Sequence, residues 1–118
     1  MNAEQAEELA RYACNGRDVI VLCANNDFAS EALRLLQDHY TDEIVGVART
    51  AGQQRIDYRS STLRILLARG SGFRGRTADV LFLDERVRDM LGSDGLAAAV
   101  ACTATRGGAV IITARDSC

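Results

Sequence analysis

Apolar residues along this chain recur in two different rhythms. Over Ala3–Cys14 they return every three or four residues, and Ala6, Leu9, Ala10 and Ala13 share one face, which predicts a helix. Asn15-Gly16 supplies its stop, since glycine and asparagine enter the left-handed conformation that ends helices. Asp18–Ala24 (DVIVLCA) is apolar almost without interruption and rich in β-branched residues, the pattern of a strand covered on both faces. Asn25-Asn26-Asp27 offers capping oxygens for a second helix, Phe28–His39, expected to bury Phe28, Ala32, Leu35 and Leu36.

Short strands follow. Glu43–Ala48 (EIVGVA) predicts another buried one, and Arg55–Tyr58 with Thr62–Ala68 predicts a hairpin turning at Arg59-Ser60-Ser61. Gly70–Gly75 is a glycine-rich loop carrying arginine, and Asp79–Leu83 (DVLFL) is the most pronounced strand in the chain. A helix through Leu91, a break at Gly92–Gly95, a small-residue helix over Leu96–Thr103 and a last strand, Ala109–Thr113, complete the series. Strands alternating with helices predict one α/β domain over residues 1–118, a three-layer, mainly parallel sheet flanked by helices with a β-hairpin insertion.

Composition changes this picture in three places. No apolar run nears the roughly 18 residues of a membrane span, and the acidic Met1–Cys14 lacks the features of a signal peptide, so a cytoplasmic location is expected. The four cysteines show no metal-binding spacing, which argues for buried thiols at Cys14, Cys23 and Cys102. All 14 basic residues are arginine, so the sequence offers no lysine for a GxxxxGK[ST] phosphate loop.

The formal charge of −2 is unevenly spread. Seven arginines between Arg49 and Arg76 face one acid, Asp57, a local +6, while the rest of the chain sums to −8. A basic middle on an acidic body fits an anionic partner, and arginine's planar fork matches phosphate. The candidates for nucleic-acid contact are Arg55, Arg59, Arg64, Arg69, Arg74 and Arg76, although only Tyr58 and Phe73 could stack on bases within that segment. A solvated surface of scattered ion pairs accounts for the same arginines equally well. His39, the only histidine, is expected to serve a helix terminus.

An apolar strand ending in Asp84-Glu85 has the Walker B arrangement, in which the aspartate helps hold magnesium and the glutamate polarises the attacking water. A carboxylate that merely caps the next helix gives the same pattern. The segment RIDYRSSTLRILLARGSGFRGRTADVLFLDE, Arg55 to Glu85, resembles the ATPase core of the phage terminase large subunit and related helicase-like motors. The matching residues are Arg74-Gly75, Ala78-Asp79, Val80–Leu83 and Asp84-Glu85, with Ala97–Thr113 similar to the helix and strand that couple hydrolysis to DNA movement. The family's phosphate loop and the strand before it have no counterpart.

The resemblance therefore implies a truncated P-loop-like fold without turnover, encoded by a phage and acting in the cytoplasm of its host. Asp84 and Glu85 remain catalytic candidates only in name, and no cofactor or metal is expected. Its partner would be nucleic acid, another protein or a second copy. The alternatives are a protein-interaction module using an open sheet edge or the acidic surface, and an ATPase completed in trans by another chain. With the phosphate-loop strand missing from beside the Walker B strand, either Asp79–Leu83 pairs directly with Ala109–Thr113 or another chain donates a strand.

Overall fold

In the computed structural model, residues 1–50, 53–67, 78–83, 87 and 110–113 are described. The first helix, α1 (Ala3–Cys14), begins in a capping box: the Asn2 side chain accepts from the Gln5 backbone, and Gln5 Oε1 accepts from the Asn2 N–H at 3.0 Å. Ala6, Leu9, Ala10 and Ala13 are its buried residues, as the spacing predicts. Asn15 caps the other end and Gly16 takes φ +84°, a conformation that suits glycine best.

Strand β1 (Val19–Cys23) is buried at every position. Asn25 then caps α2 (Asn26–Gln37), its side chain accepting from the Phe28 N–H at 3.0 Å. A 3₁₀ turn (Thr41–Glu43) leads to β2 (Ile44–Ala48), β3 (Gln53–Tyr58) and β4 (Thr62–Leu67), followed by β5 (Val80–Leu83) and β6 (Val110–Thr113). The strands form one sheet in the order β2-β3-β4-β1-β5-β6. β4, β1, β5 and β6 run parallel, and β2, β3 and β4 form an antiparallel meander. The architecture is thus α/β with a mixed sheet, and the hairpin is an integral part of that sheet instead of an insertion beside it.

Both helices pack on one face. Ala6, Leu9, Ala10 and Ala13 of α1 and Ala29, Ala32, Leu33 and Leu36 of α2 meet Val19, Val21, Cys23, Ile56, Tyr58, Leu63, Ile65, Val80 and Phe82. The opposite face buries Ile20, Leu22, Leu66, Leu81 and Leu83 with Ala78 and Val87. Alternate residues of β1 and β5 therefore feed two cores, which is why their sequences are apolar throughout.

Three expectations need correction. The buried face of α2 is Ala29, Ala32, Leu33 and Leu36, with Phe28 and Leu35 only partly buried. Ala32 and Leu36 are common to both stripes, and the sheet covers the Ala29–Leu33 side of the helix in place of the Phe28–Leu35 side. β2 is not a buried strand: it is the outermost one, and Val45 is 64% exposed. Of the five neighbouring pairs in the sheet, three are parallel and two antiparallel, so the parallel bias is weaker than the apolar runs imply. β5 pairs directly with β6, Val80 opposite Val110 and Leu83 opposite Thr113. The helices expected after Asp84 and over Leu96–Thr103 lie outside the described residues, apart from Val87, which is helical and buried.

Candidate functional site

The meander has one face under α1 and α2; the other carries Arg55, Asp57, Thr62 and Arg64 and, further along β4, the buried Leu66. On β3, Gln54, Ile56 and Tyr58 are buried, while Arg55 is exposed and Asp57 half-buried. β4 alternates in phase, burying Leu63 and Ile65 and leaving Thr62 and Arg64 half-buried. The register sets Arg55 opposite Arg64 and Asp57 opposite Thr62. Arg55 Nε lies 3.3 Å from Asp57 Oδ2, and Thr62 Oγ1 donates to Asp57 Oδ1 at 3.3 Å.

Arg55 and Arg64 are thus cross-strand neighbours, and the ion pair there joins Arg55 alone to the Asp57 carboxylate. Like charges directly across a strand pair repel unless an anion lies between them. The neighbouring strand leaves room for one: Ala48 is opposite Arg55 and Gly46 is opposite Asp57. A Cβ at Gly46 would meet Asp57 Oδ2 at 3.4 Å, an ordinary contact distance.

A second locus lies at the carboxyl ends of the parallel strands. From β1 the chain moves toward β4, whereas β5 is followed by β6 on the opposite side, so the order switches direction between β1 and β5. Crevices at such switch points are where open α/β sheets bind ligands. Here a small open pocket of about 20 Å³ is walled by Met1, Val21, Cys23, Phe28, Ala32 and Phe82, with Glu31 contributing a carboxylate. Its walls are mainly apolar. Asp84 and Glu85 follow the last residue of β5 in the chain, and their placement lies outside the described residues.

The predicted arginines do not form one patch. Arg55 and Arg64 are neighbours, whereas Arg59 is exposed at the hairpin tip, at the amino end of the parallel strands. The tip is pinned there: Ser61 Oγ lies 2.7 Å from the Ala13 carbonyl and 2.8 Å from that of Arg17, and the Arg59 N–H donates to the Glu43 carbonyl at 3.0 Å. The single Ser61 hydroxyl proton is thereby placed between the Ala13 carbonyl in the last turn of α1 and that of Arg17 just beyond it. Arg69, Arg74 and Arg76 lie outside the described residues. Asp79 helps fix β5 to β1, accepting from the Asp18 N–H at 3.0 Å.

Sequence reasoning missed the polar atoms buried beside the meander. Tyr58 is 4% exposed and its hydroxyl has no hydrogen-bond partner, so burial raises its pKa well above the ordinary 10. The Cys14 thiol is also held above its usual value, by burial and by the Glu43 carboxylate. Gln54 Nε2 donates weakly to Ser30 Oγ at 3.4 Å, leaving Oε1 unpartnered. Only the alternation of β3 hinted that these side chains point inward. Among the described residues no cluster of histidine, cysteine, aspartate and glutamate could hold a metal ion, and no helix is long and apolar enough to cross a membrane.

No protein-family model, no curated protein and no solved structure matches this chain.

Proposed function

We propose that this chain is a terminase- or helicase-like α/β domain that binds nucleic acid through its phosphate backbone and does not hydrolyse ATP. One observation carries the reading: Arg55 and Arg64 sit directly opposite each other across the β3–β4 pair, where Arg55 alone is paired, with Asp57. The parallel run β1-β5-β6, with Asp84-Glu85 following the carboxyl end of β5, supports the kinship without establishing it. The absence of lysine from all 118 residues supports a domain that does not grip triphosphate by itself.

Binding of this kind is sequence-independent and steeply salt-sensitive, because each neutralised phosphate releases counterions. A mobility-shift titration at low salt with duplex and single-stranded DNA is the direct test. Replacing Arg55 and Arg64 together by alanine is expected to weaken binding about tenfold and to lower the salt slope by roughly two. A chain that shifts neither form of DNA, or a double variant that binds like wild type, would remove this reading. Replacing Arg74 and Arg76 in the same assay separates the glycine-rich loop from the sheet face.

A further inference from the structure

The strand at the meander's outer edge carries a second and independent inference. Among the described residues β2 ends the sheet on that side, so the outward-directed hydrogen-bonding groups of Ile44–Ala48 have no described strand beyond them. Sheets usually defend such an edge with a charge or a proline in the strand. Here the five residues IVGVA contain neither, and Val45 is 64% exposed. A bulge does fall between Ile44 and Gly46, but Gly46, Val47 and Ala48 keep regular register with Asp57, Ile56 and Arg55. The defence is partial.

The flanks of β2 indicate what it would accept. Asp42 and Glu43 precede it and Arg49 follows it. None of the three makes an ion pair among the described residues; Arg49 only donates from Nη2 to Gln37 Oε1, at 3.3 Å. Laid antiparallel on a second copy of itself, the strand brings its acidic start against the partner's arginine at both ends. Laid parallel in register, it sets like charges together. The self-complementary orientation is the one a twofold axis produces.

We propose that β2 is a self-association edge, and that two copies of this chain pair antiparallel through Ile44–Ala48 about a twofold axis near Gly46. Asp42 and Glu43 of each copy then face Arg49 of the other, and the two exposed Val45 side chains come within reach across the seam. The two sheets become one continuous sheet. Because the axis stands perpendicular to it, both Arg55–Arg64 pairs lie on the same side. The two β3 strands are then three strand spacings apart, roughly 14 Å.

Sedimentation equilibrium over a concentration series tests this without reference to nucleic acid. Wild type is expected to move from a 12.8 kDa monomer to twice that mass. Two charge reversals, Asp42→Arg with Glu43→Arg in one protein and Arg49→Glu in another, are each expected to weaken the dimer at least tenfold. An equimolar mixture of the two should dimerise again, since each then supplies the charge the other needs; restoration also proves both variants folded. A wild type that stays monomeric to millimolar concentration overturns the proposal and leaves the edge to a strand from another protein. A dimer indifferent to both reversals, or one that mixing fails to restore, overturns it equally.

Discussion

The Tyr58 hydroxyl is buried without a hydrogen-bond partner among the described residues. Its phenol stays neutral in the folded chain at pH values where an unfolded tyrosine ionises. The unfolded state then binds fewer protons than the native one, so stability falls as pH rises. The contribution is intact below about pH 10 and is lost progressively above it. Tyr58→Phe removes both the orphaned hydroxyl and this liability. At pH 7 the variant is expected to match or exceed wild type by up to about 1 kcal/mol, and its urea midpoint should fall less steeply than wild type between pH 10 and 11. An unchanged alkaline slope would show that Tyr58 does not titrate as its burial requires. The same scale holds the helix starts: Asn25→Ala removes the acceptor for the Phe28 N–H, with an expected loss of about 1 kcal/mol in chemical denaturation.

At the scale of elements, α2 shows how one residue's displacement decides a core. Its sequence places Leu33, Leu35 and Leu36 within one turn, and periodicity alone admits either a stripe through Phe28, Ala32 and Leu35 or one through Ala29, Ala32 and Leu33. The structure buries Leu33 to 3% exposure and leaves Leu35 partly buried. Leu33→Ala is therefore expected to cost about 2–4 kcal/mol and Leu35→Ala clearly less, measured by thermal or urea unfolding. Equal costs would restore the stripe the sequence favoured. The choice was not legible because both stripes are apolar; what decides between them is which side of the helix meets β1, β3 and β4.

For the molecule as a whole, sheet order sets which parts open first. β1 is hydrogen-bonded to β4 on one side and β5 on the other and lies between two cores, whereas β2 is paired only to β3. Native-state hydrogen exchange should find the amides of Val19–Cys23 among the slowest and those of Ile44–Ala48 among the fastest in monomeric protein. Raising the concentration should slow only the latter if copies join through β2. Comparable protection of the two strands in a dilute monomer would contradict the observed order.

The sequence by itself determined the local elements. Helix α1 with its buried face, the hairpin's turn between Tyr58 and Thr62, the continuous apolar strands β1 and β5, and the lack of any lysine follow from spacing and composition, which are properties of neighbours along the chain. Only the tertiary structure decided that the glycine-bearing β2 lies at an edge, that β1 stands inside the sheet, and that Arg55 meets Arg64 across a strand pair while Arg59 stays at the far tip. Those facts depend on which segments meet. An apolar run records that a strand is covered, but not by what, and an arginine's neighbours across a sheet come from a register that no single segment contains.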